Sequence, residues 1–151
     1  MFAGTIRQLE PVDSEAVERI LDLYWSGEFR NNLSQHLVTN DLDWIVAEEN
    51  DEIVGVAASR KAPERIQEFT KTDNVVEFYI SAVKYKGKGI GTALRNARID
   101  KARNKGFKEA VFFSGGTHQD SWDFHDNSEF KRVGDAVAPD GEKGKIWLMD
   151  L

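Results

Sequence analysis

Lys84-Tyr85-Lys86-Gly87-Lys88-Gly89-Ile90-Gly91-Thr92-Ala93-Leu94 sets glycines at alternate positions between a β-rich run, Val75 to Val83, and a run of helix formers. Glycine lets the backbone come close to an anion. The unpaired N–H groups of a first helical turn, aligned with the helix dipole, then point at it. The segment is expected to cradle a pyrophosphate; the plain alternative is a strand-to-helix connection where no side chain fits. Two other phosphate motifs fail on spacing. A dinucleotide fingerprint needs G-x-G-x-x-G with an acidic residue about 20 positions on, and a nucleotide P-loop needs G-x-x-x-x-G-K-[ST]. Neither occurs in the chain.

Outward from this turn, the two regular periods organise the rest. Thr5 to Leu9 reads as an opening strand, and Pro11 with Asp13-Ser14 supplies turn and N-cap signals for a helix. Val17, Ile20, Leu21 and Tyr24 fall at i, i+3, i+4 and i+7, one helical face. Asn31 to Val38 suits a second short helix. Trp44 to Ala47 and Ile53 to Ala58 are β-rich runs joined by the polar Glu49-Asn50-Asp51-Glu52, a hairpin. Arg60 to Asn74, the most polar stretch, is expected as a loop or short helix. Past the glycines, a helix turns Ile90, Ala93, Leu94 and Ala97 inward, carries Lys101, Arg103 and Lys105 near its end and stops at Gly106. Ala110 to Phe113 reads as a buried strand, Asp120 to Asn127 as a short helix and Phe130 to Val137 as a strand. Pro139-Asp140-Gly141 turns the chain into Lys145 to Met149. The order β-α-α-β-β-β-α-β-α-β-β predicts an α/β (α+β) fold: a mixed, mostly antiparallel central sheet of about seven strands with helices on both faces.

A chain of 151 residues without a Pro/Gly/Ser-rich break suits a single domain, residues 1–151. The net charge of -6 argues against nucleic acid or an anionic membrane as the main partner, although Lys84, Lys86 and Lys88 form a local basic patch. The absence of cysteine removes disulfides, thiolate zinc sites and a cysteine nucleophile, and leaves the redox compartment open. Met1 to Arg7 lacks the apolar core of a signal peptide, and no run reaches the roughly 18 apolar residues of a membrane span. A cytoplasmic protein is the default expectation.

The spacing Lys86-x-x-Gly89-x-Gly91 after a strand resembles the acetyl-CoA-binding motif of the GNAT N-acetyltransferase superfamily, [QR]-x-x-G-x-[GA], with Lys86 as the departing residue. Phe124-His125-x-x-x-Glu129-Phe130-x-x-Val133-Gly134 is similar to the family's [FL]-Y-x-x-x-G-F-x-x-V-G stretch, with His125 where Tyr is usual and Glu129 where Gly is usual. The order of elements matches the family over nearly the whole chain.

The resemblance implies an acyltransferase in which Lys86, Gly87, Lys88, Gly89, Ile90, Gly91 and Thr92 hold the pyrophosphate of acetyl-CoA. Ile80, Ser81 and Ala82 would receive the pantetheine and thioester. In the family this strand end commonly bulges, which frees a backbone N–H to stabilise a tetrahedral oxyanion. Counting from Lys86 puts Ser81 at the usual position, and the lack of the family's common Pro near Val83 leaves a neighbouring residue open. His118 stands where relatives often carry an Asn that touches the cofactor arm.

The implied reaction is direct attack on acetyl-CoA by a primary amine of a small molecule or peptide in a ternary complex. Glu77 is the candidate base, on the strand face of Tyr79 and Ser81. A half-buried carboxylate there would titrate closer to the range a base needs, and a solvent-facing strand residue is the equal alternative. His125 is the candidate acid for the CoA thiolate, the alternative being a packed histidine with water as the acid. Phe29 and Arg30, beside Trp25, Glu28, Asn31 and Asn32 between the first two helices, would wall the acceptor site. No metal is implied. His118-x-Asp120-x-x-Asp123-x-His125 is a cluster of ligand-type residues, but helical positions seven apart lie roughly 10 Å apart along the axis. Trp44, Phe112, Phe113, Trp122, Phe124 and Trp147 are expected in the core. A homodimer is one assembly open to the chain. Two rival classes remain: a non-catalytic acyl-CoA-binding or protein-interaction module on the same fold, and a different nucleotide-phosphate enzyme using Gly87 to Gly91.

Overall fold

Asn50 and Asp51 both take left-handed backbone, with φ of 54° and 61°. Asn and Asp tolerate this conformation, and two such residues in succession make the turn whose twist matches a tight hairpin. The result is the antiparallel pair β2 (Asp43–Glu49) and β3 (Glu52–Lys61), in register from Glu49 opposite Glu52. The computed structural model describes all residues, Met1–Leu151. The other strands are β1 (Thr5–Gln8), β4 (Val75–Val83), β5 (Glu109–Gly115), β6 (Lys131–Val137) and β7 (Lys143–Asp150). The helices are α1 (Ser14–Asp22), α2 (Gly27–Thr39), α3 (Ile90–Asn104) and α4 (Trp122–Asp126), with 3-10 turns at Pro11–Asp13, Glu64–Phe69 and Gly116–Ser121.

The seven strands follow the order β1-β2-β3-β4-β5-β7-β6. β1 with β2, β2 with β3, β5 with β7 and β6 with β7 are antiparallel, and β4 with β5 is parallel. The parallel ladder covers Val75–Glu77 and Glu109–Val111, while β4 itself runs on to Val83. The mixed, mostly antiparallel sheet expected from the order of elements is thus present.

By contacts the chain forms two compact units, Met1–Ser59 with Ile80–Asp100 and Arg60–Tyr79 with Lys101–Leu151. Each draws on two separate stretches of sequence. In the first unit, Ile90 and Leu94 of α3 pack against Ile45, Ala47, Val54 and Ala57 of the β2–β3 hairpin. Leu94 is fully buried, so truncation to Ala would cost about 2–5 kcal/mol. In the second unit, Ala62, Ile66, Val75, Val111 and Ile146 form a cluster, and Phe112 stacks on Trp147 at 5.3 Å between ring centroids.

Several expectations need correction. The second helix begins at Gly27 and runs to Thr39, well before Asn31. Tyr24 lies beyond the end of α1 and donates from its hydroxyl to the Val83 carbonyl at 2.7 Å. Phe124 is 46% exposed, so it is not a core residue, and Phe113 and Trp122 are half-buried. The buried face of α3 includes a charged residue, Arg98. The polar stretch after β3 is organised by Glu109, a buried carboxylate that accepts the amides of Lys71 and Thr72 and the Thr72 hydroxyl.

The start of α1 depends on an ion pair. Asp13, 5% exposed, accepts two bonds from Arg7 at 2.8 and 3.0 Å and one from the Glu10 amide at 2.8 Å. The Arg7 guanidinium holds its carboxyl below the usual range, against the opposing effect of burial. A carboxylate whose folded pKa is depressed adds stability above its unfolded pKa and loses it as pH falls through the folded one. Asp13→Asn is therefore expected to cost about 1–3 kcal/mol at neutral pH, with the deficit shrinking below about pH 4. Urea melts of parent and variant across that range check this, and a deficit that stays constant with pH would refute it.

Candidate functional site

The turn from β4 into α3 is built by backbone that only glycine adopts without strain. Gly87 and Gly89 have φ of 74° and 81°. Gly91 is different. It lies in the first turn of α3 with ordinary φ, and a Cβ added there would meet nothing nearer than Val83 Cγ1 at 3.9 Å. The fold of the chain leaves that space open. Lys86 and Gly87 form a hydrogen-bonded turn, and the Ala93 amide donates to the Gly89 carbonyl at 3.0 Å. The amides of Gly89 to Thr92, at the positive helix end, are open to an external acceptor.

The three lysines of the basic patch have different surroundings. Lys84 is paired with Glu52, which also accepts from the Tyr85 hydroxyl at 2.9 Å, and its amide donates to the Val54 carbonyl at 2.8 Å. Lys86 lies 5.7 Å from the centroid of the Tyr24 ring. Lys88 is exposed beside the glycines.

The end of β4 adjoins this cradle, as the proximity of Gly91 and Val83 requires. Ile80 and Ala82 are buried and Ser81 is exposed. Arg98, one face of α3 further along, donates from Nη1 to the carbonyls of Ile80 at 3.3 Å and Ala58 at 3.4 Å. A trans peptide puts the next N–H on the side opposite the carbonyl. With the Ile80 carbonyl on Arg98, the Ser81 N–H is directed to the other side. Desolvation, reinforced by Arg95, pushes the Arg98 pKa down to about 9, which still leaves it charged at neutral pH.

In the second unit, Glu77 is 3% exposed and accepts from Arg60 Nε at 2.7 Å. The solvent-facing alternative for Glu77 is excluded by this burial. The Arg60 guanidinium carbon lies 4.0 Å over the Tyr79 ring centroid, and burial pushes the Tyr79 hydroxyl above its usual pKa. Glu77, Tyr79 and Arg60 therefore form one cluster.

The fold and the two glycine conformations agree with the comparisons to known proteins. The sequence matches the acetyltransferase (GNAT) family over residues 8–130. The chain belongs to the GNAT acetyltransferase family. Among solved structures, a putative GNAT acetyltransferase from Desulfovibrio desulfuricans is similar at TM-score 0.79 and 18% identity, over 98% of this chain and 99% of that one. A putative acetyltransferase from Salmonella typhimurium, solved with acetyl-CoA, is similar at TM-score 0.72 and 21% identity, over 98% and 94%. The ribosomal-protein-S18-alanine N-acetyltransferase of Escherichia coli is similar at TM-score 0.73 and 16% identity, over 97% and 93%. At such identities these likenesses establish the fold. No curated protein matches the chain.

In this GNAT chain, His125 is set in an aromatic box. Its ring lies 4.6 Å from Phe112, 5.0 Å from Trp147 and 5.7 Å from Phe124, between centroids. Ser121 Oγ donates to the His118 carbonyl at 2.8 Å and lies 3.3 Å from His125 Nε2. A serine hydroxyl has one hydrogen, so in this arrangement Nε2–H is the donor to Oγ. His118 is half-buried in the 3-10 turn before α4. His118, Asp120, Asp123 and His125 do not gather into a metal-ligand set.

Of the expected acceptor wall, Phe29 packs 5.9 Å from Trp25, which lies 5.7 Å from Tyr24. Arg30 requires correction. It is buried, and its guanidinium donates to Asp22 at 2.8 Å, to Ser34 at 2.7 Å, to Glu18 Oε1 at 3.4 Å and to the Glu18 carbonyl at 3.0 Å. Arg30 fastens α2 to α1 and has no edge left for an acceptor. Sequence reasoning missed Arg60 and Arg98 altogether. The signal available was weak: an arginine on an otherwise apolar helical face, and an arginine at the end of an apolar strand.

Proposed function

We propose that this GNAT chain is an N-acetyltransferase that moves the acetyl group of acetyl-CoA to a primary amine of a small molecule or peptide. The observation that carries the reading is the set of open amides from Gly89 to Thr92, beside the open space at Gly91 and against the end of β4. A pyrophosphate fits this set, because the fold itself does not call for a missing side chain at Gly91. Acetyl-CoA supplies a thioester carbonyl open to attack and a thiolate leaving group. The chain's residues do the rest. Lys86 to Thr92 anchor the pyrophosphate, and Ile80 to Ala82 border the pantetheine. The Ser81 N–H, oriented through Arg98, donates to the carbonyl oxygen as negative charge develops there. Glu77 takes the proton lost by the attacking ammonium, relayed by a water because the carboxylate is buried. His125 returns a proton to the sulfur, and His118 lies along the cofactor arm. No protein metal takes part in this reading.

The rival reading, a binding module without catalysis, draws on two observations: Glu77 is ion-paired and His125 Nε2 faces Ser121. The two readings separate on release of free thiol from acetyl-CoA across an amine panel. Turnover above background supports transfer; acetyl-CoA binding with no turnover supports the module.

Gly91→Val is expected to keep the circular dichroism and melting temperature of the parent, since nothing crowds the position, and to weaken acetyl-CoA binding by about tenfold or more. Calorimetry checks this, and unchanged affinity in a folded variant would remove the cradle assignment.

Glu77→Gln is expected to lower kcat by about 10²–10⁴-fold with a smaller effect on acetyl-CoA affinity. Part of the rate should return at high pH, where the amine deprotonates unaided. An unchanged pH–rate profile would take Glu77 out of the mechanism.

His125→Phe is expected to keep packing among Phe112 and Trp147 and to reduce kcat. His125→Tyr is expected to retain much of the activity by restoring the hydroxyl usual in the family. If Phe leaves kcat intact, another group protonates the thiolate.

A further inference from the structure

Arg60 is half-buried, and part of its guanidinium is uncommitted. Nε donates to Glu77 at 2.7 Å, and the guanidinium carbon lies 4.0 Å over the Tyr79 ring centroid. These two contacts restrain the fork. The Nη atoms have no acceptor within the chain, and the side chain keeps 26% of its surface exposed. By contrast, Arg30 is occupied at Nε, Nη1 and Nη2, and Arg98 is directed at main-chain carbonyls. A guanidinium held rigid by an aromatic face, with one edge of parallel N–H donors open, matches a carboxylate bidentately and loses little freedom in binding it. The same group touches Glu77, the carboxylate assigned as base.

We propose that Arg60 is a specificity residue for the acceptor. It binds a carboxylate carried by the amine, so the acceptor class is an amino acid, or a peptide whose free carboxylate lies close to its amine. This rests on the acetyl-transfer reading above. In such a molecule the amine and the carboxylate are separated by only a few bonds. Seating the carboxylate on the Nη edge therefore holds the amine in the neighbourhood of Glu77, on the other edge of the same guanidinium. Arg65 adds a second positive charge near Tyr79 and Asp140 a negative one, so the local field alone does not select an anion. The selection lies in the fork.

The test compares each of several amino acids with its primary amide and its decarboxylated amine, by calorimetric binding to the parent and to Arg60→Lys, with transfer rates measured separately. Lysine keeps a charge beside Glu77, whereas a neutral residue would leave a buried carboxylate unpaired and could unfold the unit; thermal melts verify that Arg60→Lys is folded. The parent is expected to bind the carboxylated form at least about tenfold more tightly than either partner, and Arg60→Lys to reduce that preference to about twofold. Equal binding of acid and amide by the parent, or a preference that survives in folded Arg60→Lys, would overturn the assignment. A preference that is present and Arg60-dependent while no amine is acetylated would uphold the carboxylate site and count against acetyl transfer instead.

Discussion

A guanidinium buried in the first unit has to find acceptors, and the end of β4 is shaped by how Arg98 finds them. It takes the carbonyls of Ala58 and Ile80. Desolvation makes this charge expensive, as its lowered pKa records, and an apolar side chain of similar length would fill the same volume without that penalty. What an apolar residue could not do is orient the peptide plane between Ile80 and Ser81. The same helix that carries Arg98 begins at the glycine cradle, eight residues and about 12 Å earlier at 1.5 Å per residue. α3 therefore sets two things at once: where the glycine turn opens its N-terminal amides, and which way the backbone faces at the strand end that adjoins it.

The second unit offers a comparison between two buried carboxylates on neighbouring strands. Glu109 on β5 accepts from two amides and a hydroxyl, and its role is to hold the Lys71–Thr72 backbone in place. Glu77 on β4 accepts from one arginine nitrogen. An ionised carboxylate offers about four acceptor sites, so Glu109 is close to saturated and Glu77 is not. Burial alone would have marked both residues as equivalent. Unused acceptor capacity beside a partly exposed arginine is what separates Glu77 from a carboxylate wholly committed to a loop.

How much could be read in advance follows from the range over which each feature is encoded. The hairpin at Asn50-Asp51, the strand Val75–Val83, the helix opened by Gly89 and closed near Gly106, and the succession of seven strands and four helices along the chain are all local signals of periodicity and backbone freedom, and they were legible. The start of α2 was not, because Glu28, Asn31 and Asn32 carry little apolar period; the helix is held instead by Arg30 reaching back to Glu18 and Asp22. Phe124 misled for a related reason. Hydrophobicity predicts burial only on average, and a residue on a short helix at the rim of an aromatic cluster keeps one face in water. Within the candidate site, the glycine turn was legible because a glycine spacing is itself the structure. Glu77 and His125 could be named as residue types, but their partners, Arg60 and Ser121, could not.

Arginine shows most sharply why partners decide roles. Arg30 lies in the first turn of α2, where an acceptor contact was expected, and its guanidinium is engaged in joining α2 to α1. Arg60 lies at the end of a strand with no motif to recommend it, and it keeps an open edge. In sequence both are single basic residues amid mixed neighbours. The difference lies in how many of the five donors find acceptors across 4 to 17 positions of chain. A guanidinium whose three nitrogens are all engaged rigidifies the fold; one held by a single donor and an aromatic ring keeps its recognition edge. That second condition, a rigid donor fork with capacity left over, is the physical requirement for selecting a ligand, and in the second unit Arg60 meets it beside the carboxylate proposed as base.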